Sequence, residues 1–179
     1  MLNRQLPLFL TLWLVCNSAI AFEQPYEPWT TICSETKGFH DGDTLTCVSE
    51  PTDKGTFIVR FAGIDAPETG QAFWRVSRDL LRRLAVTGTQ ASCYKQDRYG
   101  RQVCRLKAPD GSDIADAMLA EGLAWHATKY LSEQTPTERE RYAMLVALAT
   151  VGNKGLWSEP DPMSPGECRQ LRLKHQRCR

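Results

Sequence analysis

A chain of 179 residues with 42% hydrophobic and 24% charged side chains is long enough to bury one substantial core and too short for two. Its formal net charge of +1 excludes polyanion binding through a strong overall positive field, so any such binding has to come from a local basic patch. The histidines, at positions 40, 126 and 175, lack any close spacing and do not predict a histidine metal cluster.

The first 21 residues have the features of a secretory signal peptide. Arg4 supplies a positive start, residues 6–15 form a short apolar run, and Ala-Ile-Ala at 19–21 is a small-residue cleavage pattern. The apolar run is too short to predict a transmembrane helix. We therefore expect an exported mature protein, secreted or periplasmic, that begins near Phe22 and has no membrane contact after cleavage.

Removing this leader leaves six cysteines. An even number in an exported chain predicts up to three disulfides, with fifteen possible connectivities. Cys93 and Cys104 are the easiest pair to assign, because they lie symmetrically about the turn at 97–100 and would face each other across a hairpin. The pairs Cys33–Cys47 and Cys168–Cys178 then follow by elimination only, so the connectivity stays open. None of the spacings is CxxC, which argues against a structural zinc site.

Short β-like runs separated by turns come first along the chain. Because several are joined by hairpin turns, they favour a small barrel or a curled sheet. The predicted strands lie at residues 30–33, 44–48, 56–64, 89–95 and 101–107.

Helical periodicity appears in three places. The first helix is predicted within residues 70–88, and the second runs from about 113 to 121, before Gly122. The third begins at TPTE, residues 135–138, where a capping box is combined with proline at the first helical position. Residues after Trp157 are predicted to form a loop and a basic end tied by two cysteines. The apolar faces are Phe73, Val76, Leu80 and Leu84 for the first helix and Tyr142, Leu145, Val146 and Ala149 for the third.

Three short charged stretches carry the candidate chemistry. DGDT at 41–44 and DRYGR at 97–101 are, taken singly, ordinary charged hairpin turns. RFAGIDAPET at 60–69 is more specific: Pro67 stiffens the turn after a short strand, so Asp65 and Glu68 can face one spot. Two carboxylates beside an arginine suit phosphodiester chemistry, in which a hard cation polarises phosphate and a carboxylate takes a proton from water.

In this order and spacing, the three stretches resemble the staphylococcal-type nuclease family, together with EGLAW at 121–125 and GLW ending at Trp157. The resemblance covers about residues 30–160. It implies an α+β domain built on an OB-fold five-stranded β-barrel with three helices. We accordingly divide the chain into a signal peptide (1–21), a nuclease-like domain (22–160) and a basic, cysteine-containing tail (161–179).

The resemblance also implies an activity: a calcium-dependent nuclease that acts on DNA and RNA, cleaves the 5′-O bond and leaves 3′-phosphate ends. We expect a monomer. One tyrosine of a pair expected in the family is replaced by Thr128. The implied roles are Ca²⁺ ligation by Asp43, Asp65 and the backbone carbonyl of Ala66, general base catalysis by Glu68, binding of the scissile phosphate by Arg60 and Arg101, and substrate binding by Arg98, Tyr99 and Tyr130.

Two other classes of protein stay open. A non-catalytic OB-fold module would bind nucleic acid without cleaving it and would ignore the removal of calcium. A secreted interaction domain held by disulfides also fits the composition. Neither class explains why the charged positions 43, 60, 65, 68 and 101 are all intact. The basic tail after Gly166 lies outside the resemblance and is either a solvated segment or a contributor to phosphate contact.

Overall fold

A computed structural model of the protein describes residues 26–49 and 54–178. The predicted signal peptide lies outside this part of the chain. No helix within the two described ranges is long and apolar enough to cross a membrane.

A mixed β-sheet forms the body of the fold. Its six strands run in the order β1-β6-β7-β4-β3-β2, and β5 and β8 form a separate two-stranded ladder. The sheet curls into a half-barrel with helices against it, which confirms the predicted α+β, OB-fold class. The strands are β1 Trp29–Ile32, β2 Glu35–Lys37, β3 Thr44–Ser49, β4 Gly55–Phe61, β5 Ile64–Asp65, β6 Gln90–Gln96, β7 Gln102–Lys107 and β8 Trp125–His126.

Within the described ranges there are eight strands and four α-helices, against the predicted five and three. The additional strands are two or three residues long, which is too short for an alternating pattern to be visible in the sequence. The helices are α1 Trp74–Leu84, α2 Ile114–Ala120, α3 Pro136–Val151 and α4 Pro165–Leu173, with 3₁₀ turns at Thr128–Glu133 and Gly155–Ser158.

The apolar stripe predicted for α1 is partly wrong. Val76 is 49% exposed, whereas Ser77 and Leu81 are fully buried. The Ser77 hydroxyl donates a hydrogen bond to the carbonyl of Leu123 at 2.6 Å, so a polar side chain is satisfied in the core. A stripe drawn through apolar residues alone therefore missed the true buried face by one residue.

The core lies between the concave face of the sheet and helices α1 to α3. Leu45 and Leu106 from the sheet meet Leu81 from α1 and Met118 from α2. The three disulfides join the pairs that hairpin symmetry and elimination had suggested, and Cys93 and Cys104 are direct partners across β6 and β7.

Candidate active site

The parallel pairing of β4 with β7 assembles one side of the site. It places Arg60, near the end of β4, next to Val103. Arg101 directly precedes β7, so both arginines reach the same pocket of about 100 Å³. Tyr94 and Tyr130 also line this pocket. Two residues 41 positions apart in sequence are thereby brought to one cavity.

The guanidinium of Arg60 holds two of the predicted site carboxylates. Its Nη1 lies 3.1 Å from Oδ2 of Asp43, and its Nη2 lies 3.0 Å from Oδ1 of Asp65. Nη1 also donates to the carbonyls of Phe61 and Ile64, at 2.8 and 3.0 Å. The Arg60 side chain is only 16% exposed. A planar fork of this kind fixes both the distance and the orientation of the carboxylates.

Asp43 is buried against the loop that follows β5. Its Oδ2 accepts a hydrogen bond from the backbone N–H of Ala66 at 2.7 Å, and its Oδ1 accepts one from the Thr44 hydroxyl at 3.0 Å. Burial raises the pKa of Asp43 to about 6, even though the positive charge of Arg60 acts in the opposite direction. Arg60 and the Ala66 N–H are thus the groups that favour the charged form of this carboxyl inside the fold.

Gly42 explains why the turn before Asp43 lies so close to α1. A Cβ atom at this position would come within 1.8 Å of the Ser77 hydroxyl oxygen. Any larger residue would push the turn away from the helix. The glycine of DGDT therefore serves close packing and so helps to hold Asp43 beside Ala66.

Glu68 lies on the turn after Asp65, and its backbone is tied to the C-terminal segment. The Glu68 N–H donates to Oε1 of Gln71 at 2.8 Å, and Nε2 of the same glutamine donates to the carbonyl of Met163 at 3.0 Å. Gln71 is only 5% exposed. The buried side-chain amide of Gln71 thus links the turn that carries Glu68 to the segment just before α4.

Helix α4 brings two arginines to the site that the sequence analysis did not include. Arg169 donates to both oxygens of Asp65, at 3.1 and 2.6 Å, and to Oε1 of Glu68 at 2.7 Å. Arg172 lies 3.2 Å from Oε2 of Glu68 and also donates to the carbonyl of Thr69. The available sequence signal was SPGE at 164–167, a capping box with proline at the first helical position.

The predicted substrate-binding residues lie on the turn between β6 and β7 and on the 3₁₀ turn at Thr128–Glu133. Arg101 is paired with Asp97, its Nη2 2.7 Å from Oδ2, and this contact holds its guanidinium at the pocket. Arg98 donates to the Tyr99 hydroxyl at 2.6 Å on the exposed turn between β6 and β7. Residues Tyr99 and Tyr130 are 68% and 52% exposed. Both are therefore accessible to a base.

The oxygen donors around Asp43 fit a hard cation. Asp43 and Asp65 share Arg60, and the Ala66 N–H donates to Asp43, so two carboxylates and the backbone of Ala66 lie in one neighbourhood. Among the residues that the structure describes, no group of three or more His, Cys, Asp or Glu side chains forms a metal cluster. A cation here would rely on two carboxylates, the Ala66 carbonyl and water.

Comparison with known proteins identifies the family. Residues 58–159 match the family model described as "Staphylococcal nuclease homologue". The chain belongs to this family. It is 31% identical over 142 residues to an uncharacterized endonuclease of Escherichia coli O157:H7, covering 76% of this chain and 87% of that protein. It is 32% identical over 151 residues to a micrococcal nuclease of Shigella flexneri, covering 79% and 83%.

Membership of the staphylococcal nuclease family and the names of these relatives support nuclease activity. The matched segment includes the loop at 60–69 and the turn at 97–101. It ends before α4 begins, so the helix that carries Arg169 lies outside the part defined by the staphylococcal nuclease model.

Proposed function

We propose that this protein is a calcium-dependent endonuclease that hydrolyses phosphodiester bonds in DNA and RNA, cleaving the 5′-O bond and leaving 3′-phosphate ends. The observation that carries the proposal is the Arg60 fork. One buried guanidinium, which lines the same pocket as Arg101, also holds Asp43 and Asp65. This arrangement combines oxygen ligands for a cation with donors for a phosphate.

The proposed Ca²⁺ ligands are the carboxylates of Asp43 and Asp65 and the carbonyl of Ala66. When bound there, the cation would polarise the phosphate and offset its charge. Burial of Asp43 and its hydrogen bond from the Ala66 N–H keep these donors together.

Glu68 is proposed to accept the proton of the attacking water. Arg60 and Arg101 are proposed to bind the phosphoryl oxygens as negative charge increases in the transition state. Arg60 is already oriented by its contacts with two backbone carbonyls, and Arg101 by Asp97. Both guanidiniums are thus held at the pocket before substrate arrives, and N–H groups now paired with carboxylates would turn to the phosphate.

Substrate binding is assigned to Arg98, Tyr99 and Tyr130, whose exposed positions suit base stacking and phosphate contact. We further propose that the protein is exported, to the periplasm or the medium, and acts as a monomer. Its three disulfides support an oxidising compartment.

The test is digestion of labelled single-stranded DNA by the oxidised mature protein, with added calcium and with a chelator. Cleavage should require calcium, and Glu68→Ala should lower turnover by roughly 10²-fold or more because the proton acceptor is lost. Glu140→Ala, which removes an exposed glutamate from α3, should leave turnover unchanged. Binding without cleavage, unaffected by chelation or by Glu68→Ala, would instead indicate a nucleic-acid-binding module.

A further inference from the structure

The contacts made by α4 fall on the side chains that the proposed chemistry needs free. Arg169 donates to both carboxylate oxygens of Asp65, a proposed cation ligand, and to Glu68, the proposed base. Arg172 occupies the second oxygen of Glu68. In this structure the two carboxylates therefore have guanidinium partners where a cation and a water would be required.

The position of α4 is fixed by several independent contacts. Pro165 and Cys168 are fully buried, and Cys168 is joined to Cys178 by a disulfide. The capping box at 164–167 starts the helix next to Met163, whose carbonyl accepts from Gln71. Arg169 directly follows the buried Cys168, so its direction is set by a packed residue. These contacts are those of a docked helix, unlike the solvated segment that was one interpretation of the tail.

Arg60 contacts only Oδ1 of Asp65, whereas Arg169 contacts both oxygens, so a divalent cation cannot use Asp65 while Arg169 is bidentate there. The cation and the Arg169 guanidinium are both positively charged and would be held a few ångströms apart, and both need the same lone pairs on Oδ1 and Oδ2. Binding of one must therefore weaken binding of the other.

The contacts of α4 are also the ones best suited to be broken. The side chains of Arg169 and Arg172 are 46% and 42% exposed, against 16% for Arg60. Ion pairs in contact with water contribute little net stability and are readily exchanged for other partners. Water can therefore solvate the two arginines after they leave the carboxylates.

We infer that α4 is an internal competitor of the cation: Arg169, assisted by Arg172, occupies Asp65 and Glu68 until Ca²⁺ displaces it. Arg169 then acts as a residue that sets cation affinity and keeps the site closed at low calcium. The inference rests on the proposed calcium site, and it goes beyond the proposed function by assigning a role to a helix outside the family match.

The first experiment measures Ca²⁺ affinity by titration calorimetry of the oxidised mature protein without nucleic acid. Arg169→Gln should bind Ca²⁺ about fivefold more tightly than the wild type, because a bidentate competitor worth roughly 1 kcal/mol has been removed. Arg177→Gln is the matched control: it removes one positive charge from the same exposed tail, at a residue with no ion pair among the described residues. Its affinity should stay within about twofold of the wild type.

An unchanged or weaker affinity in Arg169→Gln would overturn the inference, as would an equal gain in both variants, which would indicate only a general charge effect. In either case calcium binding itself, and with it the proposed function, would stand. Absence of Ca²⁺ binding in every form of the protein would overturn both.

The second experiment follows the arginine guanidinium N–H groups of the wild type by NMR. Saturating Ca²⁺ should shift the Arg169 resonances and speed their exchange with water, because this guanidinium leaves Asp65 and Glu68, while those of Arg105, paired with Glu138 on α3, stay constant. Arg169 resonances unaffected by saturating Ca²⁺ would show that its contacts persist, and would contradict competition.

Discussion

Asp65 is held by two arginines, one close to it in sequence and one far from it. Arg60, five residues before it, is 16% exposed and also donates to two backbone carbonyls. Arg169, which lies 104 residues after it, is 46% exposed and directs its hydrogen bonds to carboxylates. The chemistry of the two pairs is the same, but their access to water differs.

That difference determines what each arginine contributes. When a buried pair is broken by removing one partner, an uncompensated charge is left behind in a medium that solvates it poorly. When an exposed pair is broken, water solvates both groups. Arg60 is therefore part of the folded framework of the site, and Arg169 is a removable contact. A third arginine, Arg105, pairs with Glu138. Its side chain is 33% exposed, between the values for Arg60 and Arg169, so its contribution to stability should also be intermediate.

The largest loss of stability is expected for Arg60→Gln. The substitution leaves Asp43 buried without its cationic partner and removes one partner of Asp65, so the free energy of unfolding should fall by about 3–5 kcal/mol. Urea denaturation at pH 7 with a chelator present measures this loss. A change in the free energy of unfolding below about 1 kcal/mol would mean that Arg60 is not part of the folded framework of the site.

An intermediate loss, about 2 kcal/mol at pH 7, is expected for Arg105→Gln. Burial disfavours the charged form of Glu138, but hydrogen bonds from Arg105 and from the Thr135 N–H outweigh it and lower its pKa to about 2. Because this lies below the ordinary value of 4.5, the stabilisation is present above pH 4.5 and is lost as the pH falls towards 2.

The difference in unfolding free energy between the wild type and Arg105→Gln should therefore be smaller at pH 3 than at pH 7. Denaturation curves at the two pH values provide the comparison. A difference that grew on acidification would contradict the assigned direction of the pKa change of Glu138.

The smallest loss is expected for Arg169→Gln, under about 1 kcal/mol at pH 7 without calcium, because its contacts are half-exposed. The same urea denaturation measures it, with Arg177→Gln as the control for lost charge. A loss of stability as large as that of Arg60→Gln would show that the contributions of the two arginines do not differ with their burial. It would contradict the distinction drawn between Arg60 and Arg169.

The parts of the site that sequence predicted well are local. In RFAGIDAPET, Arg60 and Asp65 are five residues apart, and the observed contact of 3.0 Å needs only a short loop between them. The hairpin pair Cys93–Cys104 was predictable for the same reason, because a turn fixes which residues face each other. The role of each residue in catalysis stays a prediction.

Helix α4 was missed although its start signal was present. SPGE at 164–167 has the same form as TPTE at 135–138, which correctly predicted the start of α3. A capping pattern indicates where a helix begins, but it carries no information on what the helix contacts. The approach of Arg169 to Asp65 depends on the complete tertiary fold and could not have been read from either segment.

The parallel pairing of β4 with β7 has a consequence for the order of events during folding. Parallel neighbours need a long crossover, here one that contains α1 and β6, so the closure of this loop must precede the contact of Arg60 with the pocket of Arg101. Contacts so distant in sequence form late and slowly. A chain still emerging from the ribosome therefore has no phosphate pocket until β7 has been made.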